Sequence, residues 1–110
     1  MILFIESAWR LETAEAVVCG STDSNCPDCD MQLGLAQLKG LTVKRVQILT
    51  PALDLTVIFE KDYILRVFCD QTNIYSRVDN YSFFNKERVY IVGPRGTVEV
   101  EKRTLPIGYQ

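Results

Sequence analysis

A chain of 110 residues with 47% apolar and 24% charged side chains can bury about two thirds of its unfolded surface, which excludes disorder and fits one β-rich domain over residues 1–110. Its formal charge of −2 and pI near 5.1 supply no basic stripe for phosphate contacts, so nucleic acid is not an expected partner. The absence of histidine removes imidazole-assisted nucleophiles, imidazole proton relays and His-rich metal sites together.

Residues 2–5, ILFI, are apolar on both faces, as in a strand covered on both sides or placed at a crowded edge. The run is too short for a signal h-region, and no stretch reaches the ~20 apolar residues of a spanning helix. The expectation is a cytoplasmic protein with no membrane association and reduced thiols, in which the Asn80-Tyr81-Ser82 sequon has no meaning. Residues 8–12 and 15–19 form a hairpin around Thr13-Ala14 in this reading, with Trp9 opposite Val18 and Leu11 opposite Ala16.

Between Gly20 and Asp30 the composition changes to GSTDSNCPDCD, a loop. Asp28 or Asp30 can cap a short helix over residues 31–39, with the stripe Met31, Leu35 and Leu38 and a stop at Gly40. Gly34 inside it costs roughly 1 kcal/mol relative to alanine. Residues 42–50 return to strand, with Val46 and Ile48 on one side and Lys44, Arg45 and Gln47 toward solvent, until Pro51 breaks it.

The clearest pattern is residues 53–69, LDLTVIFEKDYILRVFC, where apolar residues alternate on both sides of a polar break. A three-residue loop Glu60-Lys61-Asp62 sets Phe59 opposite Tyr63, Val57 opposite Leu65, Leu55 opposite Val67 and Leu53 opposite Cys69. A two-residue loop would put Arg66 opposite Val57, so the longer loop is expected, with Asp62 left-handed. Residues 70–80 lack periodicity, as a mobile connection or a contact loop would. Two strands, 81–84 and 88–92, then flank a turn at Asn85-Lys86-Glu87. Gly93-Pro94-Arg95-Gly96 closes a last hairpin, with Gly96 left-handed, Val92 facing Val98 and Tyr90 facing Val100. The fold expected is α+β: mainly an antiparallel β meander, as a bent sheet or partly open barrel, with one short helix near residues 30–39.

The cysteines are the sharpest chemical feature. Cys26-Pro27-Asp28-Cys29 is a C-x-x-C leading into a helix, with Cys19 upstream. Zinc needs about four ligands; Cys19, Cys26 and Cys29 give three, with Cys69 or an aspartate as a fourth, although Cys69 faces the core in the hairpin register. Thiol redox chemistry is the rival, since a C-x-x-C at a helix start favours thiolate. The third reading gives the four cysteines no common role. Asp23-Ser24-Asn25 begins like a calcium loop, but Asp28 stands where glycine is needed and Gly34 where the bidentate glutamate is needed. No catalytic residue and no required cofactor follow, and the chain is not expected to be an enzyme.

Aromatic residues dominate interface energetics. Trp9 suits the core, whereas the neighbours Phe83 and Phe84 point to opposite faces and cannot share one core. Phe83, Phe84 and, in the long loop, Ile74 and Tyr75 are therefore the interaction candidates.

Taken together, WRLE at 9–12, LDLTVIFE and LRVFCD across 53–70, NYSFF at 80–84 and VGPRGTVEVE at 92–101 give the chain a likeness: it resembles small uncharacterised bacterial single-domain proteins, some immunity-like or accessory to toxin systems. Lys61-Asp62 departs from the Asn-Gly frequent at that family's central turn, and the Cys-rich loop looks like an insertion. The resemblance implies a cytoplasmic, non-catalytic protein that works by protein–protein contact, with another protein as partner or with itself through a strand edge.

Overall fold

The computed structural model describes residues 2–71 and 79–102. Among the described residues nine strands and one α-helix follow in chain order: β1 (Ile2–Ile5), β2 (Ala8–Glu12), β3 (Val17–Gly20), α1 (Asp30–Ala36), β4 (Val43–Leu49), β5 (Asp54–Phe59), β6 (Ile64–Phe68), β7 (Tyr81–Phe84), β8 (Arg88–Val92) and β9 (Val98–Lys102). All pairings are antiparallel, in a five-stranded sheet ordered β3-β2-β6-β5-β4 and a four-stranded sheet ordered β1-β7-β8-β9. One apolar core joins the sheets: Leu11, Cys19, Leu55, Val57, Leu65 and Val67 come from the larger, Tyr81 and Val92 from the smaller. The mainly antiparallel α+β architecture expected from the alternation is the one observed.

The central hairpin has the expected register, with Leu55 opposite Val67 and Val57 opposite Leu65. Its loop turns through two left-handed residues, Lys61 as well as Asp62, both at φ 61°. The last hairpin also forms as read, with Tyr90 opposite Val100 and Val92 opposite Val98. Gly96 there lies at φ 70°, and a Cβ on it would strike the Pro51 carbonyl oxygen, so two constraints select glycine.

The first hairpin corrects the expected pairing. Leu11 lies opposite Cys19, Arg10 opposite Gly20 and Trp9 opposite Val67, rather than Trp9 with Val18 and Leu11 with Ala16. Thr13 is the reason. Its Oγ1 accepts the N–H groups of Glu15 and Ala16, and its own N–H donates to the Ala16 carbonyl, so the turn spans residues 13–16 instead of two residues. The ladder shifts between Leu11 and Glu12, Val18 becomes the extra residue of a bulge, and Leu11 and Cys19 meet in the core.

Helix α1 also differs from its expected form. Cys29, not Asp28 or Asp30, occupies the N-cap position and makes no side-chain cap, while Asp28 is left-handed at φ 62°. The N–H of Cys29 donates to the Cys26 carbonyl at 3.0 Å, a turn that sets which residue enters the helix first. Gly34 is the buried face of the helix, and Leu35, expected in the apolar stripe, is exposed. The helix approaches β3 so closely that only a residue without a side chain fits against Cys19.

Candidate functional site

Paired residues on adjacent antiparallel strands project to the same face. Val46 is opposite Val57 and Ile48 opposite Leu55, so β4 carries the core-facing apolar surface of β5 one strand further out. Leu55 and Val57 are buried there, but Val46 is 52% and Ile48 46% exposed, because β4 is the edge of its sheet. From the smaller sheet, Leu3 and Phe83, themselves opposite one another, come in over this surface. Between them is an apolar hollow of about 500 Å³. Every residue lining it is aliphatic or phenylalanine, so it presents nothing to move a proton or hold a charge. What it can hold is an apolar side chain or chain segment.

Charge lies around this surface, not within it. The Glu60 carboxylate accepts the Thr42 N–H at 3.0 Å, and that bond holds its carboxyl below the ordinary range, helped by Lys61 and Lys44. On the face away from the core, Arg10 and Arg66 are directly opposite one another and both donate to Glu12 Oε2, Arg66 at 3.0 Å. The Arg10 hydrogen bond is the largest cause of a lowered Glu12 carboxyl, and the arginine charges add to it. The triad removes what would be a like-charge clash across the strands, and Arg10 also covers the Phe68 ring at 4.8 Å.

The four cysteines do not converge. Cys26 and Cys29 are joined to each other by a disulfide in the turn before α1, contrary to the expectation of four reduced thiols; their Cα atoms lie 5.2 Å apart, within ordinary disulfide reach. Cys19 is buried behind Gly34, and burial, then Asp23 and Asp30, raises its thiol pKa. Cys69 donates to the Leu53 carbonyl at 3.4 Å. Among the described residues no three Cys, Asp or Glu side chains group closely enough to hold a metal ion. Zinc ligation by Cys19, Cys26, Cys29 and Cys69 therefore does not fit this arrangement.

Of the aromatic candidates, Phe83 packs on the core, stacks on Tyr90 with ring centroids 5.0 Å apart and lines the hollow. Phe84, its neighbour on β7, is half-buried and lies outside the hollow's lining. Ile74 and Tyr75 lie outside the described residues. Trp9 packs against the core, as expected. Asn80, the sequon asparagine, is 1% exposed; its side chain both accepts from and donates to the Asp70 backbone, which gives it a structural role. Beside it Ser7 Oγ is buried with no hydrogen-bond partner among the described residues.

No protein-family model, no curated protein and no solved structure matches this chain. The sequence reading missed the hollow because it forms only where two separate sheets meet. The signal available beforehand was Val46 and Ile48 on one side of the strand expected over residues 42–50, whose position at an edge no local pattern reveals.

Proposed function

We propose that this chain is a non-catalytic, cytoplasmic bacterial protein that acts by contact with another protein, in the manner of an immunity or inhibitory protein. The observation that supports this reading is the apolar hollow with β4 along its open side: Val43, Val46, Ile48 and Leu49 are all exposed on one seven-residue edge strand. Burying a fully exposed aliphatic side chain contributes about 1.5–3 kcal/mol, and these half-exposed residues contribute about half of that each, so stable association needs the strand and the hollow covered together. No helix among the described residues is long and apolar enough to cross a membrane. The test is capture of partners from the source cell on immobilised protein, wild type beside Val46→Asp and Ile48→Asp. Wild type is expected to retain a partner that both variants lose. Equal retention by all three removes β4 and the hollow as the contact surface.

A second reading, a thiol-redox protein, is supported by the position of the Cys26–Cys29 disulfide, with Cys26 exposed and its Sγ 3.3 Å from Ser24 Oγ. Two equivalents of a small thiol would cleave it, leaving the Cys26 and Cys29 thiols and one disulfide of the reagent. Under this reading, unfolded protein titrates two thiols before reduction, Cys19 and Cys69, and four afterwards. A Cys26–Cys29 disulfide that stays intact in glutathione buffers poised at about −300 mV would eliminate it, since such a couple could not cycle in a cell.

A further inference from the structure

We infer that copies of this chain associate head to tail, with β4 of one copy adding antiparallel to β9 of the next. The inference rests on the contact reading above and names a second copy as what covers the β4 edge. Its first support is the direction of the backbone groups. The Phe59 N–H donates to the Tyr63 carbonyl at 2.8 Å, which makes that opposed pair a hydrogen-bonded one. Such pairs alternate along an antiparallel ladder. Leu55 and Val57 therefore aim their backbone groups at β6, while Thr56 and Ile58 aim theirs at Gln47 and Arg45 of β4. The N–H and C=O groups of Val46 and Ile48 consequently point out of the sheet. The same argument applies to β9: the Gly93 N–H donates to the Thr97 carbonyl at 2.9 Å, so Glu99 and Glu101 aim at β8 and Val98 and Val100 aim outward. Val98 and Val100 are 51% and 54% exposed. Among the described residues each sheet thus ends in an edge whose outward backbone groups belong to half-exposed aliphatic residues.

Charge favours β4 on β9 over either edge on itself. The β4 sequence VKRVQIL holds two cations and no acid, and VEVEK of β9 holds two acids ahead of its terminal lysine. Pairing β9 with itself, Val98 to Val100, sets Glu99 against Glu99, and pairing β4 with itself, Val46 to Ile48, sets Arg45 against Leu49. With β4 on β9, Val46 opposite Val100 and Ile48 opposite Val98, the outward backbone groups meet, the aliphatic side chains share one face, and Arg45 falls opposite Glu101 on the other. Opposed unlike charges at such positions stabilise strand pairing, and like charges destabilise it. Lys44, which this register sets opposite Lys102, is the extra residue of the irregularity that β4 makes against β5, so the regular part of the ladder ends at Arg45. Because the two edges differ, the contact is heterologous and leads to a ring or a growing chain, not to a closed two-fold dimer.

The test is sedimentation velocity of the full chain over a concentration series at low ionic strength, with wild type, Arg45→Glu, Glu101→Arg and an equimolar mixture of the two variants. Wild type is expected to associate increasingly with concentration, and each charge reversal to weaken association by about tenfold. The mixture is expected to recover it, since alternating copies restore one Arg45–Glu101 pair and create one reversed pair. A monomeric wild type, variants that associate as wild type does, or a mixture that does not recover overturns the proposal. Sensitivity to Arg45→Glu but not to Glu101→Arg would assign the contact to β4 against β4 and overturn it as well. Failure here, with β4-dependent capture of a different protein from the cell, leaves the contact reading standing; failure of both removes both.

Discussion

Gly34→Ala is expected to destabilise the protein by about 2 kcal/mol, a fall in Tm on the order of 10 °C, although alanine is the better helix former by about 1 kcal/mol. A Cβ at Gly34 would sit 2.5 Å from Cys19 Sγ, 3.0 Å from Cys19 Cβ and 3.1 Å from Val18 Cγ1. Cys19 is 2% exposed and lies opposite Leu11 in the core, so its sulfur has little room to retreat. The added methyl must instead push α1 off β3, its main packing partner. The control is Cys19→Ala. Removing the sulfur eliminates the closest contact, so the cost of Gly34→Ala should drop by more than half in that background, measured as a double-mutant cycle by thermal or urea unfolding. A Gly34→Ala variant as stable as wild type would mean that helix and strand are not packed this closely. Equal costs with and without Cys19 would locate the strain elsewhere.

Gly34 also shows where the sequence was readable and where it was not. The cost assigned to it from helix propensity is correct for a helix in water and has the wrong sign here, because tertiary contact decides the residue. Local information was sufficient for the two hairpins whose turns carry their own chemistry. Residues 60–62 allow only one length that keeps Arg66 out of the core, and Gly93-Pro94-Arg95-Gly96 names its left-handed residue. It failed at Thr13, where one hydroxyl accepting two N–H groups lengthens the turn and shifts the ladder. It was silent on β1 with β7 and β2 with β6, since strands far apart in the chain leave no mark on each other's sequence. The candidate surface inherits that limit. The placement of Val46 and Ile48 on one side is plain, yet only the strand order makes their strand an edge, and only the second sheet makes a hollow beside it.

Stability is expected to fall with pH from about pH 9 upward, chiefly through Tyr81 and Cys69, with the buried Cys19 thiol, also raised, adding to the fall. The Tyr81 hydroxyl donates to the Leu53 carbonyl at 2.8 Å, the Cys69 thiol donates to the same oxygen at 3.4 Å, and Leu53 itself is held at φ 69°. Burial, then the charge of Asp54, pushes the Cys69 thiol from its ordinary 9.0 up to about 11. Burial, then Cys69 and Asp54, pushes the Tyr81 phenol from 10.0 up to about 12. Both groups are neutral when protonated and both have folded values above their unfolded ones. Their contribution is therefore complete below about pH 9 and is lost as pH rises through 11 and 12, where each anion would be buried against a carbonyl it can no longer donate to. Tyr81→Phe removes a donor from a side chain that is 0% exposed and should cost about 1–2 kcal/mol at neutral pH. Cys69→Ser retains a donor that does not titrate in this range. The combined Tyr81→Phe, Cys69→Ser protein is thus expected to be less stable than wild type at pH 7 and to lose less of its stability between pH 9 and 12, so that the two curves converge. Thermal unfolding across that range, with phenolate absorbance followed in parallel, measures both. Parallel curves would show that these two groups do not carry the alkaline transition; and if the phenolate absorbance that Tyr81→Phe removes from the five-tyrosine titration ionises near 10 in the native protein, Tyr81 is not the buried donor to Leu53.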